Sequence, residues 1–258
     1  MIYLKTEEQL KYLVKAGNIL SECLSFLSLQ VKPGVTGLQI DKMAEDFVRS
    51  YEGASCACKG YQGYPANICI SLNAFAVHGI PDNKLFCEGD IVKLDLVIDY
   101  LGFKCDSAVT ILIPPVKPEV QRLATIGVEA LKMGILAAKE GSRVSDITQA
   151  VFNTVNGTGF SLCKEFVGHG IGTSIHEAPQ VPCIPANKPS PLLVSGMVLA
   201  IEPIVIASTN NAVYYKSGSW PTWSLVGANV VHNEHSVLIT EKEPKILTLR
   251  KEEKFNAF

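Results

Sequence analysis

The chain has 258 residues, of which 47% are hydrophobic, and a formal net charge of −2. This is enough apolar material for one or two folded domains, and the lack of a basic stripe argues against nucleic-acid binding. The N-terminus has no basic segment followed by an apolar one, and no apolar run is long enough to span a bilayer, so we expect neither a signal peptide nor membrane attachment.

Eight cysteines are scattered along the chain without a Cys-x-x-Cys pair, which disfavours a zinc finger. In a chain without an export signal, reduced thiols are typical of a cytoplasmic enzyme. We therefore expect a cytoplasmic protein.

Two capping boxes predict the starts of the first two helices. Thr6 and Thr36 are each followed three residues later by Gln, whose side chain can satisfy a free backbone N–H at the helix start. Apolar residues then recur at helical spacing, so we expect helices from these residues to about Leu29 and Ser50. The Gly- and aromatic-rich segment 53–64 is predicted to be a loop.

A hairpin of strands 91–98 and 103–113 follows a short strand at 67–72. If Tyr100 and Leu101 form a two-residue loop, Asp95 and Asp106 lie directly opposite each other on one face, where like charges repel. A bulge at Gly102 would instead shift this register by one. Unpaired charge in apolar strands is costly, so a shared cation is favoured over two idle, solvated aspartates.

The second half begins with a helix from Pro118 to about Lys139 and another that Ser145 caps and that ends by Gly157. The apolar runs 198–206 and 230–239 are predicted strands.

Each of these two strands carries a carboxylate, Glu202 or Glu234. A carboxylate within an apolar strand needs a partner, either a metal or a buried ion pair. By alternation, His232 and Ser236 share the face of Glu234, whereas His235 points the other way and is predicted to be a packed or surface residue.

His169 stands between Gly168 and Gly170, which allow the backbone to approach a crowded site; the alternative is a flexible loop with an incidental histidine. His176, seven residues later, would by spacing alone be structural. With the four carboxylates, His169 completes an oxygen-rich ligand set that suits Mn, Fe or Co better than structural zinc. Two divalent cations would balance four acidic ligands and activate a water molecule.

A weak internal repeat relates the two halves. Lys32-x-Gly34 and Lys139-x-Gly141 are each followed by Ile six residues after the glycine, and each helix pair precedes strands with buried acids. Helix–Gly–helix junctions also arise by chance. We favour duplication, which predicts an α+β fold of two halves about a pseudo-twofold axis: a single catalytic domain, 1–258, with half-repeats of about 1–115 and 116–245 and a surface tail, 246–258.

Together, these motifs resemble the bacterial type I methionine aminopeptidases of the M24 pita-bread metallopeptidase family. The resemblance extends from about Lys5 to Thr240. It is carried by Gly60-Tyr61-Gln62-Gly63-Tyr64-Pro65, Ile70-Ser71-Leu72-Asn73, His78-Gly79-Ile80-Pro81, the Asp95/Asp106 pair, Gly168-His169-Gly170-Ile171-Gly172, His176-Glu177-x-Pro179, Gly196-Met197, Ile201-Glu202-Pro203 and Glu234-His235.

The resemblance implies a pita-bread fold with antiparallel sheet and outer helices, and two divalent ions (Mn, Fe, Co or Zn) held by Asp95, Asp106, His169, Glu202 and Glu234. Asp106 and Glu234 would bridge both ions. The implied reaction removes N-terminal methionine from nascent proteins, with activated water attacking the first peptide bond. Glu202 would accept a proton, His176 would donate to the developing oxyanion, and His78 would hold the backbone of the second residue.

The implied methionine pocket consists of apolar, aromatic and sulfur-bearing side chains that grip a thioether well: Cys58, Tyr61, Tyr64, Cys69, Ile175 and Trp220, together with His78 and His176. Ordinary core packing would equally explain these residues. Ile175 replaces the usual Phe, and segment 220–233 departs from the family pattern, which leaves Trp223 as the alternative to Trp220.

Two other functions fit parts of the sequence. One is a proline-specific peptidase of the same fold, which the His78-Gly79-Ile80-Pro81 motif disfavours. The other is a metal-free peptide-binding protein, which the presence of all five ligands disfavours. The expected partner is the N-terminus of a nascent polypeptide, with ribosome docking left open; we expect a monomer that binds neither nucleic acid nor membranes.

Overall fold

A computed structural model describes residues 2–186, 189–215 and 217–253. Helices and antiparallel sheets alternate along the chain, and each pair of helices precedes a group of strands. The helices are α1 (Glu7–Gln30), α2 (Gly37–Arg49), α3 (Pro118–Ala137) and α4 (Val144–Val155). This order agrees with the predicted duplication, which stays a prediction.

The predicted capping boxes are confirmed at both helix starts. The Thr6 hydroxyl accepts a hydrogen bond from the backbone N–H of Gln9, whose side chain accepts one from the backbone of Thr6, and Thr36 is capped in the same way. The prediction that Ser145 caps α4 was wrong: the helix starts two residues earlier, after Arg143. The reason is that the Asp146 carboxylate accepts the backbone N–H of Arg143 at 2.7 Å.

The first sheet contains β1 (Ala54–Cys56), β2 (Cys69–Leu72), β3 (Ile91–Tyr100) and β4 (Phe103–Leu112). Strand β3 pairs with β4 along its whole length and with β1 and β2 on its other edge. Segment 53–64 therefore contains a strand where only loop was predicted, because the end of β3 offers it a pairing edge. Leu13, Leu20, Leu24 and Leu27 of α1 are fully buried in the core that covers this sheet.

The predicted register of the hairpin was wrong by two residues. Leu101 and Gly102 form the turn, with φ of 51° and 90°, so Asp95 pairs with Ala108 and Asp106 with Val97. A type I′ turn needs positive φ at both central residues, which glycine supplies easily at the second. The two aspartates still share a face, because a shift by two preserves the alternation.

The described part of the second half contains ten short strands. They are β5 (Ser161–Leu162), β6 (Gly168–Gly170), β7 (Glu177–Val181), β8 (Val198–Ile201), β9 (Ile204–Ile206), β10 (Val213–Tyr215), β11 (Thr222–Ser224), β12 (Val230–His232), β13 (His235–Leu238) and β14 (Lys245–Ile246). They form a five-stranded sheet (β14-β13-β8-β6-β7), a three-stranded sheet (β12-β9-β5) and the β10-β11 pair.

The two long strands predicted at 198–206 and 230–239 are each divided between sheets. The first is interrupted at Glu202-Pro203 and the second at Asn233-Glu234. Pro203 has no backbone N–H to donate to a ladder, which fits the interruption there. Both glutamates therefore lie where the chain leaves one sheet and enters the next.

The segment after β14 is not the surface tail that composition predicted. Leu247, Thr248 and Arg250 are all buried. Leu247 packs against α1 so closely that a Cβ on Gly17 would lie 2.3 Å from the Leu247 carbonyl oxygen. The Thr248 hydroxyl accepts the backbone N–H of Ser236 at 3.1 Å, so this segment covers the back of β13. Of the tail, residues 254–258 lie outside the described ranges.

Candidate metal centre

The structure brings the five predicted ligands to one place from five different segments. They are Asp95 on β3, Asp106 on β4, His169 on β6, Glu202 after β8 and Glu234 between β12 and β13. Ligand atoms of Asp106, His169 and Glu234 lie within 4.8 Å of one another. His169 Nε2 is 3.5 Å from Glu202 Oε1, and Asp95, Asp106 and Glu202 line the same cavity.

His169 is carried by a strand, not by a flexible loop. Strand β6 lies between β7 and β8, and its two glycines permit the close approach that the sequence predicted. A Cβ on Gly168 would lie 2.3 Å from the Ala200 carbonyl oxygen, and one on Gly170 would lie 2.3 Å from that of Ala178. Any larger residue at either position would push His169 out of place.

The tautomer of His169 follows from its hydrogen bond. Nδ1 lies 2.9 Å from the Gly170 carbonyl oxygen, which can only accept, so Nδ1 carries the proton. Nε2 therefore has its lone pair directed toward Glu202 and is free to bind a cation. Metal-binding histidines commonly donate their second N–H to a carbonyl in this way.

Backbone hydrogen bonds hold the acids of the two halves together. The N–H of Glu234 donates to the Ala108 carbonyl at 3.0 Å, and the Ser107 hydroxyl donates to the Glu234 carbonyl at 2.6 Å. One residue before Ser107 on β4, the N–H of Asp106 donates to the Ser236 hydroxyl at 2.9 Å. The positions of Asp106 and Glu234 are thus fixed relative to each other.

The acid cluster lacks positive partners within the described residues. Asp106 Oδ1 and Glu234 Oε1 are buried and accept no hydrogen bond there. Burial raises the pKa of Asp95 to about 6 and that of Glu202 to about 7. Burial and then neighbouring carboxylates raise the pKa values of Asp106 and Glu234 well above normal. This donor set fits divalent cations, which would supply the missing charge.

Two further histidines predicted to be functional face the same cavity. The Nδ1 of His176 lies 2.7 Å from the Tyr61 hydroxyl, and its ring centroid lies 4.4 Å from that of His169. When Tyr61 donates this hydrogen bond, the proton of His176 sits on Nε2. His78 has a positive φ of 58° and packs edge-on against Phe166.

Both of these imidazoles favour the neutral form. Burial, and then the nearby His232, lower the pKa of His78 to about 4. Burial, and then His78, also lower the pKa of His176. At neutral pH each ring is therefore a hydrogen-bonding group without charge.

An apolar cavity of about 290 Å³ opens directly onto the acids. All six predicted pocket residues line it: Cys58, Tyr61, Tyr64, Cys69, Ile175 and Trp220. Trp220 packs edge-on against Tyr64 with ring centroids 5.3 Å apart, whereas Trp223 lies outside the cavity lining, with its ring centroid 5.1 Å from that of Phe75.

Sequence reasoning missed Val97 and Phe166 in the lining of this cavity. Val97 could have been found, because it follows Asp95 by two residues on the same face of β3. Phe166 had no such signal, since it comes from a loop. His235 was predicted to be a packed or surface residue and not a ligand. It is fully buried, with Nδ1 at 2.9 Å from the Thr248 hydroxyl and Nε2 at 3.2 Å from Glu253.

Within the described ranges, none of the helices combines the length and apolar character needed to cross a membrane.

A model of metallopeptidase family M24 matches residues 11–241. Methionine aminopeptidase of Clostridium acetobutylicum is 38% identical over 250 residues, covering 96% of this chain and 99% of that protein. Methionine aminopeptidase 1 of Bacillus subtilis is 37% identical over 251 residues, with coverage of 96% and 99%.

Solved structures show the same similarity. Methionine aminopeptidase from Thermotoga maritima superposes with a TM-score of 0.93 at 33% identity, covering 96% of this chain and 99% of that one. Prolidase from Pyrococcus furiosus superposes with a TM-score of 0.77 at 22% identity, covering 96% of this chain and 66% of that one. The prolidase likeness shows a common fold alone.

Proposed function

Because the chain belongs to metallopeptidase family M24, we propose that it is a methionine aminopeptidase, which removes the N-terminal methionine from newly made proteins. The expected pita-bread fold is confirmed by the structural similarity. One observation supports the activity most strongly: a buried acid cluster with unsatisfied oxygens opens into an apolar cavity lined by sulfur and aromatic side chains.

The family and the acid cluster indicate the use of a divalent metal. We propose that Asp95, Asp106, His169, Glu202 and Glu234 would hold two such ions. Manganese, iron, cobalt and zinc are the candidates, since carboxylates and one imidazole can bind each of them. When bound, such ions polarise a peptide carbonyl and lower the pKa of water.

The side chains around the acids would divide the remaining work. Glu202 accepts the proton of the attacking water. His176 donates a hydrogen bond from Nε2 to the oxyanion that forms on the scissile carbonyl. His78, across the cavity beside Trp220, holds the backbone of the second substrate residue.

The methionine side chain would occupy the apolar end of the cavity. Cys58, Tyr64, Cys69 and Ile175 are all less than 8% exposed, so this end is largely shielded from solvent. Ile175 is smaller than the Phe that the family usually has there. We therefore propose that this pocket accepts methionine with room to spare beside Ile175.

A decisive experiment compares three peptides on the same protein after metal removal and reloading with Mn²⁺, Fe²⁺, Co²⁺ or Zn²⁺. We expect release of methionine from Met-Ala-Ser and none from N-acetylated Met-Ala-Ser. We expect no cleavage of Xaa-Pro peptides whose first residue is not methionine. Preferential cleavage of Xaa-Pro would favour a proline-specific peptidase. Binding of Met-Ala-Ser without cleavage under every metal would favour a peptide-binding protein.

Three finer proposals accompany this activity. The substrate is the free N-terminus of a nascent chain in the cytoplasm, and the enzyme acts as a monomer.

The chain forms one catalytic domain, 1–258, whose halves, 1–115 and 116–245, arose by duplication. Separately expressed halves should then fail to bind metal, because each contributes only part of the ligand set.

A further inference from the structure

His232 is a buried imidazole directed at the acid cluster that none of the roles above uses. It is 2% exposed, and its Nε2 has no hydrogen-bond partner among the described residues. This atom lies 3.7 Å from Glu202 Oε2 and 3.8 Å from Glu234 Oε2. A nitrogen buried between two carboxylates without a hydrogen bond requires an explanation.

The backbone of His232 is clamped on both sides. Its N–H donates to the Thr110 hydroxyl at 3.0 Å, and that hydroxyl donates back to the His232 carbonyl at 2.7 Å. Two residues earlier, the Val230 carbonyl accepts a hydrogen bond from the buried side-chain nitrogen of Lys93 at 3.1 Å. The backbone that carries the imidazole is therefore fixed before anything binds, as a preformed site requires.

We propose that His232 is a sixth ligand of the metal centre and supplies it with a second imidazole nitrogen. Its distances to the glutamate oxygens are too long for hydrogen bonds. They suit atoms that share one cation, since two ligands about 2.0–2.2 Å from the same ion lie within ~4.4 Å of each other. His169 has the same relation to the other oxygen of Glu202, at 3.5 Å.

This arrangement places one imidazole nitrogen beside each carboxylate oxygen of Glu202: His169 beside Oε1 and His232 beside Oε2. The five ligands proposed above account for the first nitrogen but not for the second. A second neutral nitrogen adds no negative charge to a site already rich in carboxylates. Nitrogen donors also favour cobalt and zinc over manganese. The inference rests on the metal centre of the proposed function and adds a ligand to it.

The test uses the full-length protein labelled with ¹⁵N-histidine and loaded with Co²⁺. A histidine bound to paramagnetic cobalt gives a strongly shifted imidazole N–H proton signal, which a neighbouring unbound histidine does not give. We expect two such signals in the wild type and one in His232→Gln. His176→Gln is the matched control: it removes an unbound imidazole 4.4 Å from the His169 ring and should keep both signals.

Calorimetric titration gives a second measurement. We expect His232→Gln to weaken Co²⁺ binding by at least about 10- to 100-fold and Mn²⁺ binding by less. A wild type that cleaves Met-Ala-Ser but shows one shifted signal would overturn this inference and leave the proposed function intact. This outcome does not depend on the folding of any variant. Failure of the wild type to bind Co²⁺ and to cleave would instead defeat the proposed function itself.

Discussion

The two halves of the molecule deliver their acids to the centre in different ways. In the first half, Asp95 and Asp106 project from a ladder that pairs without interruption from Ile91 to Tyr100. In the second half, Glu202 and Glu234 lie at breaks, each between a strand of the five-stranded sheet and one of the three-stranded sheet.

This difference shows what fixes each ligand. Alternation decides on which face of the sheet an aspartate of a regular strand lies, so a change of register by two residues keeps it on that face. A glutamate at a break is positioned by the sheets before and after it. Glu202 and Glu234 therefore depend more on packing at a distance than the two aspartates do, and the following changes test how the ligands of the centre are held.

Glu202→Gln should have the largest effect. It keeps the size of the side chain at the break but removes its proton-accepting oxygen, so we expect kcat for Met-Ala-Ser to fall by about 10²–10⁴-fold. Burial opposes the charge of Glu202, so the metal-free variant should unfold at an equal or higher temperature than the metal-free wild type at pH 8. Retained turnover would remove Glu202 from the mechanism.

Gly170→Ala and Gly102→Ala compare a glycine that is closely packed beside the ligand His169 with a glycine in the turn of the hairpin. At Gly170 a methyl group would meet the Ala178 carbonyl oxygen at 2.3 Å, so we expect a loss of about 1–3 kcal/mol of stability and weaker metal binding through displaced His169. At Gly102 the cost is about 1–2 kcal/mol, from its positive φ, with kcat/KM unchanged. Denaturant unfolding and metal titration measure both. Equal loss of metal affinity in the two variants would contradict the specific role of Gly170 in placing His169.

Metal removal should make stability depend on pH. Burial raises the pKa values of Asp95 and Glu202 to about 6 and about 7, above their unfolded values near 4. Between about pH 4 and 7 these two carboxyls bind more protons in the folded state than in the unfolded state, so their contribution to the stability of the metal-free protein falls as pH rises through this range. The buried histidines, whose pKa values are lowered, contribute in the opposite direction, so the measurement compares the wild type with Glu202→Gln. With EDTA, the melting temperature of the wild type relative to that of Glu202→Gln should fall as pH rises from about 4 to 7, and a constant difference would contradict the raised pKa of Glu202.

Trp220→Ala should have the smallest effect, and Trp223→Ala is its control. Loss of the edge-on contact between Trp220 and Tyr64 should cost about 0.5–1.5 kcal/mol of stability. Because Trp220 also lines the cavity, KM for Met-Ala-Ser should rise. Trp223 is outside the cavity lining, so its variant should keep the wild-type KM. The reverse result would assign the pocket wall to Trp223.

Local patterns in the sequence predicted much of the framework. The capping boxes at Thr6 and Thr36 involve partners only three residues apart, and the common face of Asp95 and Asp106 follows from alternation. Their exact register did not follow, because it depended on the turn that Leu101 and Gly102 adopt. The ligand set itself came from motif spacing and resemblance, and the structure places its members together.

The sequence by itself therefore determined which side chains are available to the centre and which face of a strand or helix carries them, since both depend on neighbours a few residues away. Only the tertiary structure decided where the strand of Glu234 breaks, that segment 247–250 is buried, and that His232 points between two glutamates. Each of these depends on segments more than 100 residues apart meeting in one core: β4 meets residues 232–236, and α1 meets Leu247. No local pattern encodes these meetings.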